Sequence, residues 1–262
     1  MAPGREQATG RLLVDVAGGG TAPAVLVRSS SDLVPALAAL GVRAPCPVVV
    51  VVGGAGGLSP SEGRALARLF EDGVAAAVEQ VGAAAVDGGT AAGIMAALGE
   101  ARARRGSDFP LVGVAAEGTV RASRLHPASH AAELEPHHSG FLLVPGSDWG
   151  DEAAWIAQAA TALAGGAPSV TVVVNGGDVA LDDARHSLAA GRPVLAVRGT
   201  GRAADELASA VRGEPADARA EELARSGRVT TVDADDPAAV CRVLVAMLRA
   251  VHSDAADDDA TG

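Results

Sequence analysis

Residues 47–63 read PVVVVVGGAGGLSPSEG, and this stretch decides the fold. Five successive valines, Val48 to Val52, do not alternate between a core face and a wet face. Such a run predicts a strand buried on both sides, as in a parallel sheet covered by helices. Gly53-Gly54 closes it. Ser59 then reads as a helix N-cap, Pro60 suits the first turn and Glu62 completes a capping box, so a helix is predicted to run to about Val81. Strand, glycine turn and helix make the first half of a βαβ unit.

The pattern repeats outward. Apolar runs at 47–52, 83–86, 111–115, 141–144, 170–174, 194–197 and 228–232 read as further strands of the same kind. Stretches of helical period fall between them, at 91–105, 151–164, 179–190, 202–211 and 237–251. Gly191 and Pro193 end the helix at 179–190. Residues 12–16 and 24–27 add an N-terminal hairpin across Gly18-Gly19-Gly20. The span 116–140 is the longest without a clear element, and 213–226 holds a short helix. The alternation predicts an α/β fold, a doubly wound, mostly parallel sheet with helices on both faces. It is read as one domain over residues 11–252, flanked by unstructured ends at 1–10 and 253–262.

Composition narrows the function. The 262 residues are 48% hydrophobic, enough for a core, and aromatics are only 2%, so that core is Ala, Val and Leu. The net charge of −11 excludes a basic nucleic-acid footprint. Part of it sits in the tail, at Asp254, Asp257, Asp258 and Asp259. Cys46 and Cys241 form no C-x-x-C pair, which excludes a zinc ribbon or thioredoxin-type motif and suits unpaired thiols in a reducing cytosol. The chain opens with no signal peptide, and no apolar run reaches membrane-span length. A soluble, cytoplasmic protein is expected.

The residues after each strand point to a ligand. Val52 leads to Gly53-Gly54, Val86 to Asp87-Gly88-Gly89-Thr90, and Ala115 through Glu117 to Gly118-Thr119. Val144 leads to Pro145-Gly146-Ser147, Val174 to Asn175-Gly176-Gly177, and Val197 to Arg198-Gly199-Thr200-Gly201. Ligands of open α/β sheets bind at this carboxyl edge. Glycine lets backbone approach a ligand closely, and the helix after each loop offers unpaired N–H groups to phosphate. Arg198 and Arg202 flank the last loop and are candidates for phosphate oxygens. Two standard motifs fail. The frame G-x-G-x-x-G from Gly54 meets Ser59 at its third glycine, and there is no GK[ST].

Six motifs carry a family resemblance in their order: VVVGGAGG (50–57), VDGGTAAGIMAALGEA (86–101), VGVAAEGTV (112–120), LEPHHSGFLLV (134–144), VVVNGGD (172–178) and GRPVLAVRGTGRAADELA (191–208). Together they resemble the nucleotide-sensing SLOG/LSDAT domain of TRPM cation channels and its stand-alone prokaryotic relatives. That domain sits in a Rossmann-like superfamily with the Smf/DprA proteins and the LOG phosphoribohydrolases. The resemblance implies a nucleotide-derived ligand such as ADP-ribose or NAD and no required cofactor. It covers nothing like a channel pore. Carried over by motif, the ligand positions are Gly53, Gly54, Ala55, Gly88, Gly89, Thr90, Gly93, His138, Asn175, Gly176, Gly177, Gly199, Thr200, Gly201, Arg202 and Asp205. Gly140 stands where channel members have a second histidine.

LOG hydrolases carry PGGxGTxxE, whose glutamate acts at the glycosidic bond. Residues 145–157, PGSDWGDEAAWIA, keep Gly146 but put Ser147 at the second glycine, and Glu152 falls one position out of frame. Glu152 is the candidate if the protein hydrolyses N-glycosidic bonds. Its other reading, with Asp151, is charge at a helix N-terminus. Trp149, just beyond a strand end, is a candidate for stacking a base. Trp155 and Phe141 read as core. His126 and His130 have i,i+4 spacing, but Pro127 and the absence of HExxH argue against a metal site. The expectation is a non-catalytic sensor of a small nucleotide, without nucleic acid or membrane insertion, acting through a homo-oligomer or an effector protein.

Overall fold

The computed structural model describes residues 10–54, 60–121 and 131–249. The expectations for Ala55, the Ser59 cap, His126, His130 and the acidic tail lie outside them. A nine-stranded sheet holds β1 (Arg11–Asp15), β2 (Thr21–Leu26), β3 (Val48–Gly53), β4 (Ala84–Asp87), β5 (Leu111–Ala116), β8 (Gly140–Val144), β9 (Ser169–Val174), β10 (Val194–Arg198) and β11 (Val229–Asp233). Between β5 and β8, the pair β6 (Val120–Arg121) and β7 (Ala132–Glu133) forms a separate small parallel sheet. The main sheet runs β1-β2-β8-β5-β4-β3-β9-β10-β11. Only β1 and β2 pair antiparallel, the hairpin the sequence predicts.

Both faces are covered, which explains the valine run. Val48, Val50 and Val52 pack with α1 (Leu33–Ala39), α5 (Ala153–Ala164), α6 (Asp178–Ala189), α7 (Arg202–Val211) and α8 (Ala218–Ala224). Val49 and Val51 face the other way, toward α2 (Pro60–Arg68), α3 (Ala76–Val81), α4 (Gly93–Arg105) and α9 (Pro237–Arg249). Helix α1 has no counterpart in the sequence reading. The helix expected to run unbroken to Val81 contains a π-helical segment, Leu69–Ala75. There Gly73 lies against α9, where a Cβ would sit 3.2 Å from the Pro237 carbonyl oxygen.

The topology places the site. From β3 the chain winds through β4 and β5 to β8. It then crosses back to β9, on the other side of β3, and continues to β10 and β11. The loops after β3 and β9 therefore part in opposite directions and open a crevice at the carboxyl edge.

Candidate functional site

The crevice is a cavity of about 290 Å³ lined by Gly54, Asn175, Gly199, Thr200, Gly201 and Asp205, with an apolar wall of Ala65, Leu66, Leu69, Ile94 and Ala234. Close backbone approach builds its floor. A Cβ on Gly53 would run into the Val174 carbonyl, and one on Gly176 (φ 90°) would strike the Ala180 side chain. Only glycine fits either place. Thr200 ties β9 to β10: its Oγ1 donates to the Val197 carbonyl at 2.7 Å and accepts from the Asn175 amide at 2.8 Å. Asn175 is buried and its Oδ1 has no hydrogen-bond partner among the described residues. A buried acceptor left unpaired is costly, so a ligand donor at this point would relieve that cost.

The last glycine loop is organised differently from the expectation. Asp205 accepts the amides of Gly199 at 2.6 Å and Gly201 at 3.1 Å. The side chain carried over as a ligand position thus fills the backbone nest of its own loop. Helix α7 directs its early amides to the neighbouring loop, Ala203 to the Gly176 carbonyl and Ala204 to that of Asn175, both at 3.1 Å. The amides of Gly54, Gly176, Gly177 and Thr200 make no hydrogen bond to another described residue. Arg202 lies beside two of them, Gly177 and Gly54. A Cβ on Gly177 would lie 2.6 Å from Arg202 Nη2, and one on Gly54 3.9 Å from Nη1. No carboxylate pairs with Arg202 among the described residues, whereas Arg198 is held by Asp233, with Nη2 to Oδ2 at 2.6 Å. Of the two arginines only Arg202 is poised for an anion.

A second chamber of about 170 Å³ opens on the other side of the β3 turn. Gly53, Gly88, Thr90, Trp149 and Glu152 line it, together with Val52, Ile156, Thr119 and Asp183. Trp149 is 46% exposed. Glu152 accepts the Gly150 amide at 3.1 Å, and burial raises its pKa above the usual carboxylate range. Asp183, on α6, is buried, and its Oδ1 has no partner among the described residues. Burial and the charge of Glu152 push its pKa up to about 8. The sequence reading missed Asp183. The LOG frame can also be laid on 175–183, NGGDVALDD: the first two of its three glycines are kept and Asp183 takes the glutamate position, while Val179 and Ala180 replace the third glycine and the threonine.

His138 sits in a network of its own. It touches neither cavity. Its Nδ1 pairs with Glu135 at 2.7 Å and its Nε2 with Asp87 at 2.8 Å, and its ring stacks on Phe141 with centroids 5.2 Å apart. Burial opposes the charged imidazolium, but the two carboxylates outweigh it and raise the pKa to about 9. The ring is an ionic clamp between β4 and the segment before β8, with both ring nitrogens engaged. Three glycines likewise serve packing. Gly89 lies against Gly113 and Phe141, Gly146 against Asp151 and Ala116, and Gly93 (φ 57°) starts α4. Among the described residues no group of three side chains suits a metal ion, and no helix is long and apolar enough to cross a membrane.

A doubly wound sheet with an open crevice at its strand reversal defines a Rossmann-like α/β protein. The family model described as "SLOG in TRPM, prokaryote" matches residues 46–242, and the chain belongs to that family. No curated protein matches it significantly.

Proposed function

We propose that the protein is a cytoplasmic sensor that binds a nucleotide-derived ligand, ADP-ribose, NAD or a relative, in the crevice between β3 and β9. The observation that carries this reading is Arg202 lying beside Gly177 and Gly54, whose amides donate to no described residue. An unpaired guanidinium beside backbone N–H groups that donate to no described residue suits a phosphate or diphosphate. The unpaired Asn175 Oδ1 suits a ribose hydroxyl or base amine, and the apolar wall suits a base. No cofactor is needed for binding, and the signal passes to an effector protein or a second copy. Isothermal titration with ADP-ribose, NAD, cyclic ADP-ribose and AMP tests it. At least one binds, and Gly201→Trp, which fills the crevice, abolishes that binding. Silence across the panel overturns the proposal.

A second reading, hydrolysis of a nucleotide N-glycosidic bond, is favoured by one observation: the raised carboxyls of Glu152 and Asp183 share a chamber beside the crevice. An acid that keeps its proton near neutral pH can protonate a leaving base. Incubation with AMP, NAD and cytokinin-type monophosphates, followed by chromatography for free base, decides. Absence of released base sinks this reading and leaves the sensor untouched.

A further inference from the structure

The second chamber has a charge pattern unlike the crevice. Two carboxylates, Glu152 and Asp183, line it, and no basic side chain does. Its floor is apolar, from Val51, Val52, Ala115 and Ile156, and Trp149 stands among its lining residues, nearly half exposed. Asp183 is 7% exposed and lines the space with an Oδ1 that has no partner among the described residues.

The groups around Asp183 do not compensate it. Glu152 at the start of α5 and Asp182 on its own helix are both acidic. Strand β3 and helix α5 carry no charged residue. Arg219 on α8 is paired with Asp178 and Asp217, and Arg202 on α7 lies over Gly177. A buried carboxyl in such surroundings favours an incoming positive charge, because a cation relieves both the burial and the repulsion. An indole beside carboxylates and apolar side chains is a setting that recognises a flat or quaternary organic cation.

We propose that this chamber holds a cationic aromatic ring, of the oxidised nicotinamide type, as one end of a ligand whose phosphates lie at Arg202. The two spaces flank the β3 turn: Gly53 lines the chamber and Gly54 the crevice. The proposal rests on the nucleotide reading for the phosphate end, while the ring site stands on the chamber alone. It separates ligands that the crevice treats alike. ADP-ribose has no ring cation, and the reduced dinucleotide has the same ring without the charge.

The ring site is tested first without any nucleotide. Millimolar 1-methylnicotinamide, a permanent cation, raises the melting temperature, and neutral nicotinamide does not. Asp183→Asn, close to the wild-type group in shape, removes the difference. Calorimetry then compares NAD+ with NADH in two buffers of different ionisation heat. NAD+ binds at least ten-fold tighter and releases close to one proton at pH 7 as Asp183 ionises. NADH releases none, and Asp183→Asn brings the two affinities together. Trp149→Ala weakens NAD+ and leaves ADP-ribose unchanged. Equal response to 1-methylnicotinamide and nicotinamide, or equal binding of NAD+ and NADH, overturns the ring proposal while ADP-ribose binding upholds the sensor. If no nucleotide binds and 1-methylnicotinamide still stabilises selectively, the sensor reading falls and the cation chamber stands.

Discussion

Two residues at the crevice, Asn175 (φ 54°) and Arg202 (φ 50°), adopt the left-handed backbone region without being glycine. Each costs about 1 kcal/mol relative to a relaxed conformation. They are also the two side chains best suited to a ligand. The left-handed start of α7 brings the Arg202 guanidinium over Gly177, and the bend at Asn175 accompanies its buried, unpaired amide. Arg202→Gly separates binding from stability. It removes the charge and relaxes the backbone, so nucleotide affinity falls about 10- to 100-fold, the worth of one charge-assisted contact. The unfolding free energy stays level or rises by up to about 1 kcal/mol. Titration calorimetry and urea denaturation of the same variant check both halves. Unchanged affinity would remove the phosphate from this position.

Helices α4 and α6 show how one turn of helix can serve packing or chemistry. In α4, Gly99 lies beneath the Glu135 carboxylate, so a Cβ there collides with it. Glu135 is held in place by His137 and His138 and cannot swing aside freely. Gly99→Ala therefore destabilises by about 1–3 kcal/mol, because it disturbs a buried charged network. It also lowers the His138 pKa from about 9, which imidazole NMR titration reads. In α6 the buried positions are Ala180, Leu181, Asp183, Ala184 and Ser187. The helical period alone places Asp183 on that core face, so its burial was legible in the sequence. Its partner in the chamber was not, because Glu152 arrives from another helix. The sheet was legible for a local reason: valine runs and glycine turns announce doubly buried strands one at a time. The crevice was legible only as a set of loops, since the return to β9 beside β3 joins residues more than a hundred positions apart. The packing role of His138 was hidden for the same cause. Its clamp needs Asp87, 51 residues away, and no short motif records that pairing.

At the scale of the whole molecule the buried charges set a direction with pH. His138 has a folded pKa of about 9 against an ordinary 6.5, so its contribution is complete below pH 6.5 and lost as pH rises through 9. Asp183 has a folded pKa of about 8 against an ordinary 3.8, so folding is favoured most while it is protonated, and that advantage is lost as pH rises from 3.8 through 8. Glu135 has the opposite sign, since its pKa is lowered, but it loses stability only as pH falls below the ordinary 4.5. Between pH 6.5 and 8 the folded protein thus holds two protons that the unfolded chain has released. Each proton lowers stability by at most about 1.4 kcal/mol per pH unit. A chain of net charge −11 adds self-repulsion of the same sign at higher pH. The expected profile is greatest stability on the acid side of neutral and a steep decline toward pH 9. Urea midpoints at pH 6, 7, 8 and 9 measure it. Asp183→Asn cannot ionise, so its profile declines with roughly half the slope up to pH 8 and then follows the wild type. His138→Gln is less stable at pH 6 and flattest between pH 8 and 9. A wild-type profile level from pH 6.5 to 8 would mean that neither proton is held by the fold.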